Sequence, residues 1–280
     1  MFATLTASRS AGYLSAASLG THPNLSRQMI IASAALVSVA LCAAMLVCME
    51  AGFRGGRRYR GKDSTHEWLG LFQGAIFALL GLLLGFAFAG SMGRLEARRD
   101  LIVREANAIN TAYLRIDILP PAYQGEIRGL FHAYLEARLQ AYDNLDSGRD
   151  FEASIVEASR LQQQIWAKAI AAAGQDPAGK SLIVTSLNEM IDVTTARAVA
   201  WRTQLPTLIL VLLLGVALLS SLLAGYGMGT SGRRHGFHGA IYAVAVSLTI
   251  YVVLDLDNPR SGMIRLDAAE QVLKQLHFAI

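Results

Sequence analysis

The chain has 280 residues, of which 53% are hydrophobic and 16% charged, with a formal net charge of +4. This balance suits a small membrane protein with one sizeable part outside the bilayer, and the length leaves room for little else. The weak net charge, with no stacking aromatics beside its basic residues, argues against nucleic-acid binding.

Residues 1–28 are rich in Ala, Ser, Thr and Leu and carry Arg9 and Arg27 as their only charges. They lack the continuous apolar core of a signal peptide and read as a disordered extension. Four apolar segments follow, near Met29–Cys48, Trp68–Ala89, Leu205–Tyr226 and Gly239–Leu254. About 20 apolar residues span a bilayer, so the first three fit transmembrane helices and the fourth is short. Residues 29–93 thus hold one membrane pair and residues 205–254 another, with a polar stretch from 94 to 204 between them and a tail from 255 to 280.

The two cysteines, Cys42 and Cys48, fall on different faces of the first segment and read as packing residues. The loop after it carries Arg54, Arg57, Arg58, Arg60 and Lys62. Clustered basic residues beside a membrane helix fix orientation or meet anionic headgroups. The second segment places Gly70, Gly74, Gly81 and Gly85 on a small-residue stripe suited to close helix packing, within one subunit or between copies. No acidic or basic residue interrupts the first three segments, which argues against an ion-coupled carrier. Gln73 and the Ser220–Ser221 pair are their main polar residues, expected to bond across helices or back to their own helix.

From 94 to 202 the sequence holds 13 basic and 14 acidic residues, so this part is nearly neutral. Ile102, Ala106, Ile109, Tyr113 and Ile116 form a helical stripe that continues the second segment without a proline, until Pro120–Pro121 stops it. A second helix carries Ile127, Phe131, Leu135, Leu139 and Tyr142. Asp146-Ser147-Gly148 then reads as a turn, and Asp150 caps a third helix with Phe151, Ile155, Ala158, Leu161 and Ile165. Gly174 to Gly179, including Pro177, reads as a loop. A fourth helix carries Ile183, Leu187, Met190 and Thr194 toward Trp201 and the third segment, with Pro206 kinking the junction. The fold class is therefore an all-α membrane protein: four transmembrane helices, with a four-helix extramembrane bundle between the second and third.

No Walker loop, nucleophile elbow, zinc-ligand spacing or dinucleotide fingerprint occurs, so neither an enzyme, a cofactor nor a metal is expected. His235 and His238 have metal-like spacing but sit in a glycine-rich loop. Asp255 and Asp257 read as a polar helix end before a cation site.

Three stretches, GLLLGFAFAGSMGRLEARR (Gly81–Arg99), EANAINTAYLRIDILP (Glu105–Pro120) and LDLDNPRSGMIR (Leu254–Arg265), resemble the bestrophin-like domain family of bacterial four-span membrane proteins, over about residues 30–275. That family is distantly similar to bestrophins, which are pentameric anion channels with a neck of bulky apolar residues on the second helix. The resemblance implies a homo-oligomer, pentameric by analogy, that passes a small anion and places Ala78, Leu82 and Phe86 at the neck. Ala78 departs from the bulky pattern. The Asp257-Asn258-Pro259 run is similar to one that follows the last helix in bacterial bestrophins, and the acidic calcium clasp of animal bestrophins has no match. Arg94, Arg98 and Arg99 would stand at a pore mouth as a basic ring, or anchor the helix end at headgroups.

The sequence thus reads as a multi-pass protein of the cell membrane and an oligomeric ion channel, with a membrane-bound sensor or scaffold as the alternative reading. Sidedness stays open. Seven basic residues in the short loops, Arg233 and Arg234 included, put those loops in the cytosol by charge. The resemblance implies the reverse.

Overall fold

The computed structural model describes residues 23–58, 66–147, 151–174, 176–257 and 271–276. Asp150, Arg60, Lys62 and the Asn258–Pro259 pair lie outside the described residues. Among those described, all regular structure is helical: α1 (Pro23–Arg58), α2 (His66–Leu114), a 3-10 turn (Arg115–Ile118), α3 (Pro121–Ser147), α4 (Phe151–Ala173), α5 (Pro177–Arg202), α6 (Thr207–Ser231) and α7 (Gly236–Asp257), with a last helical segment over residues 271–276.

Four helices are long and apolar enough to cross a membrane, over Ala34–Arg58, Gly70–Ile118, Thr207–Ser231 and Gly236–Asp257. The fourth, read as short from sequence, forms a helix of 22 residues. Helix α1 starts at Pro23, inside the stretch expected to be disordered.

Helix α2 runs unbroken for 49 residues, as its proline-free sequence predicts. At about 1.5 Å per residue it is about 73 Å long, more than twice a hydrocarbon core of about 30 Å. It ends where expected. Leu119, held extended by the following proline, leaves its carbonyl to the Gln124 amide at 2.7 Å, and Pro121 opens α3 at the position where a missing N–H costs nothing. The loop expected at 174–179 is shorter. Gly174 takes φ 52° at the end of α4, and Pro177 already starts α5, with Asp176 accepting from the Ala178 N–H at 3.1 Å. Residues 146–147, expected in a turn, belong to α3. Pro206 does not kink a continuous helix; the chain breaks between Arg202 and Thr207.

The larger apolar core gathers the second half of α2 with α3, α4 and α5 around Ile109, Phe131, Leu135, Ile165, Leu187 and Met190. Leu273 and Leu276, from the stretch expected to be a tail, are buried in this same core. A smaller core joins α1, α2, α6 and α7 around Met45, Leu80, Ala217 and Ile250. The polar groups noted in sequence bond as expected at Ser220. Its hydroxyl donates to the Ala217 carbonyl at 2.7 Å and meets the Tyr242 hydroxyl of α7 at 2.6 Å.

Close packing among the apolar helices falls on glycines that the sequence reading did not single out. In α1, Gly52 and Gly56 face α6. A Cβ on either would lie closer than 3.0 Å to the backbone at Leu222 or Tyr226. In α6, Gly225 and Gly229 face α1, and a Cβ there would overlap the carbonyl oxygens of Met49 and Phe53. Two glycine pairs at spacing four thus meet backbone to backbone. Apolar chains gain little from leaving lipid, so contact of this kind is what holds spanning helices together. Gly70, Gly74, Gly81 and Gly85 differ: a Cβ on any of them would meet nothing within 4 Å. Packing inside one subunit, one of the two readings of that stripe, finds no support among the described residues.

Gly225→Ala is expected to destabilise the chain by about 3 kcal/mol, the upper end for overpacking, because the backbone of α1 has no rotamer with which to yield. Gly215→Ala, on the same helix but facing open space, should leave the melting temperature in detergent unchanged or raise it. Thermal melts of the two variants beside the unaltered chain check this.

Candidate functional site

Two faces of α2 divide its roles. Leu80, Ala87, Ser91, Leu95 and Arg98 are buried against α6, α7 and the α5–α6 junction, whereas Ala78, Leu82, Phe86 and Ala89 are exposed on the opposite arc. Leu82 is 55% exposed and Phe86 67%. Ala78, Leu82 and Phe86 stand four residues apart, so they line up along one side of the helix. The glycine stripe runs beside this row on the same exposed arc. One helix therefore offers a bulky edge and a flat edge side by side.

Farther along α2 the apolar stretch ends and charge enters. Arg94 donates through Nε to Asp257 Oδ1 at 2.8 Å and through a terminal nitrogen to Ser91 Oγ at 2.7 Å. Arg98, expected at a pore mouth or at headgroups, is only 3% exposed. Its guanidinium donates to the carbonyls of Ala200 at 3.2 Å, Thr203 at 2.7 Å and Asp257 at 3.1 Å, and lies over the Trp201 ring at 5.6 Å. Arg98 therefore caps the C-terminal end of α5, where free carbonyls and the negative end of the helix dipole favour a cation. Asp257 completes the junction by accepting the Leu205 N–H at 2.8 Å, just before α6 starts. Of the arginines read as candidates for a mouth, Arg99 remains exposed.

A second charged cluster lies within the larger core. Glu105, fully buried, pairs with Arg138 at 2.6 Å and also with Arg197. Three helices, α2, α3 and α5, are thereby joined by one carboxylate. Burial alone would lower the Arg138 pKa, and the Glu105 charge, Tyr134 and the hydrogen bond to Glu105 together outweigh it, so the guanidinium is held above its ordinary value. Beside it, the Tyr134 hydroxyl meets Thr194 Oγ1 at 3.3 Å and accepts from Gln162 at 3.5 Å. Burial pushes the Tyr134 phenol up to about 12.

The sequence reading found the Glu105 stretch by resemblance but assigned its carboxylate no part. A signal was present. Glu105 lies between Ile102 and Ile109 on an apolar stripe. Arg138 follows Leu135 on another, and Arg197 follows Met190 and Thr194 on a third. A charge on the core face of a helix calls for a partner, and three such charges on three helices call for each other.

Glu105→Gln should cost about 3–5 kcal/mol, because it leaves two buried guanidiniums without their countercharge. Asp257→Ala should cost a similar amount by releasing Arg94 and the Leu205 N–H together and removing the carboxylate charge beside Arg98, whose bond to the residue 257 backbone carbonyl survives. Chemical unfolding in detergent micelles, followed by circular dichroism, checks both. For Tyr134 the folded state favours the neutral phenol. Its contribution is fully present below the ordinary value of 10.0 and is lost as pH rises toward 12. Tyr134→Phe should remove that alkaline loss from a titration of melting temperature.

Comparison with known proteins bears on these features together. Two variant crystal structures of a bacterial bestrophin homologue from Klebsiella pneumoniae superpose with a TM-score of 0.59. One is 16% identical and covers 86% of this chain and 97% of its own. The other is 14% identical and covers 88% and 98%. A crystal structure described only as a membrane protein superposes equally well, with a TM-score of 0.59 at 15% identity, covering 86% of this chain and 97% of its own. At these identities the likeness is one of fold. No curated protein matches the chain. The Bestrophin-like domain matches residues 36–270, which include α2, the junction at Asp257 and the Glu105 cluster. The chain is a multi-pass membrane protein and belongs to the Bestrophin-like domain family.

Proposed function

We propose that this chain is the subunit of a homo-oligomeric ion channel of the cell membrane, that α2 lines its pore, and that anions are the preferred ions. In this reading α1, α2, α6 and α7 span the bilayer. The second half of α2 with α3, α4 and α5 forms a bundle outside it, inserted between the second and third spanning helices.

One observation carries the proposal: the exposed arc of α2, with Ala78, Leu82 and Phe86 in line beside the open glycine stripe. The flat glycine edge lets a neighbouring copy approach closely through a heterologous contact, and leaves the bulky edge beside it free to face the axis. Such contacts repeat around an axis and close into a ring. Leu82 and Phe86 would then narrow the passage, and an apolar constriction gates by losing its water. The absence of ionisable residues along this part of α2 fits a passive pore rather than a coupled carrier. Family membership supports the same architecture. Arg99, exposed beyond the apolar stretch, supplies the positive charge at the mouth that raises local anion concentration, while Arg94 and Arg98 hold the pore helix to the α5–α6 junction.

Liposomes containing the purified protein should pass chloride faster than protein-free liposomes. Phe86→Ala, which widens the constriction without touching the buried face, should raise the rate. Flux at the blank level from a correctly inserted oligomer, or equal flux from the two proteins, would contradict the proposal.

A further inference from the structure

At the end of the molecule away from Asp257, the last turn of α1 and the turn between α6 and α7 lie side by side. The close α1–α6 crossing brings them together, and the Arg234 guanidinium reaches Glu50 of α1 at 2.6 Å. Arg54 also pairs with Glu50, at 3.0 Å. Arg54, Arg57, Arg58, Arg233 and Arg234 are all exposed. In the described part of this surface, five guanidiniums therefore meet one carboxylate. Glu50 engages Arg54 and Arg234, and Arg57, Arg58 and Arg233 have no acidic partner among the described residues.

The ground beneath these charges is apolar. The Phe53 ring lies between two guanidiniums, with Arg234 at 5.3 Å and Arg57 at 5.9 Å from its centroid. Next to it opens a cavity of about 230 Å³, floored by Leu46, Met49 and Met228 and edged by Glu50 and Arg234. Val47, next to Leu46 in α1, and Phe237, next to Gly236 in α7, expose further apolar surface. These residues stand at the ends of helices that cross the membrane, so the arginines lie at headgroup depth and the apolar residues just below them. The convergent C-terminal ends of α1 and α6 favour some positive charge, but this accounts for a partial charge at each end rather than for three uncompensated guanidiniums.

We infer that this surface binds anionic phospholipid. Arg57, Arg58 and Arg233 meet the headgroup charge, and Phe53 with the Leu46–Met49–Met228 cavity receives the upper part of an acyl chain. The inference needs only the membrane placement and does not rest on conduction.

Native mass spectrometry of the full-length protein in detergent tests it, with phosphatidylglycerol or phosphatidylcholine of identical chains added. A surface arginine near an anionic headgroup is worth about fivefold in binding. Three should make the retained phosphatidylglycerol exceed phosphatidylcholine at least about tenfold. A smaller ratio overturns the inference with no variant needed. The triple variant Arg57→Gln, Arg58→Gln and Arg233→Gln should bring the two lipids to near equality, whereas the matching lysine variant should keep the preference. An unchanged ratio in the glutamine variant would place the binding elsewhere and overturn the assignment. Displacement of the lipid by inorganic phosphate would mean a free-anion site, and would overturn the lipid reading as well.

Discussion

The break in the backbone between α5 and α6 is the constraint around which the rest of this molecule is arranged. Unpaired amide groups are costly wherever water is scarce, and residues 203–206 leave several of them at the edge of the apolar helices. Arg98 takes the carbonyls on one side and Asp257 takes the Leu205 N–H on the other. Neither charge would be tolerable alone at such burial; Asp257 is the countercharge for Arg98 and pairs directly with Arg94 as well. The junction thereby fastens four elements: the middle of α2, the end of α5, the start of α6 and the end of α7. The exposed face of α2 is tied to the larger core through this point.

Helix α2 lives in two settings without interruption. Its first half has a packed face toward α6 and α7 and an apolar face with no partner among the described residues. Its second half is a core helix carrying Ile102, Ile109 and the Glu105 carboxylate. Because the helix is continuous, a displacement in the bundle reaches the exposed row at Ala78, Leu82 and Phe86 as a rigid motion. The Glu105 cluster resists such displacement by binding α2 to α3 and α5 at once. A hydrophobic replacement could match its stability, so its use is better sought in fixing the register of the three helices.

Much of this was legible in the sequence. The apolar segments announced the spanning helices, the absence of proline announced the length of α2, and the spacing at Ile127, Phe131 and Leu135 announced α3. Pro177 opens α5 instead of lying in a loop, because proline starts helices well at their first position. What the sequence concealed was pairing between distant elements. A glycine stripe looks the same whether it faces a neighbour or open space. Gly70 to Gly85 carried the more regular pattern, yet the close crossing was built from Gly52, Gly56, Gly225 and Gly229. The arginines at 94 and 98 likewise looked like a helix end at headgroups. Only the fold reveals that the carboxylate of Asp257, 163 residues from Arg94, stands beside them.

In the proposed channel the exposed arc of α2 faces an axis shared by copies of the chain. Single-particle electron microscopy of the full-length protein, purified in a mild detergent, tests it directly. The account predicts a closed ring of identical subunits, with Leu82 and Phe86 of every copy nearest the axis. Monomers, or an oligomer that turns α2 outward toward lipid, would contradict it.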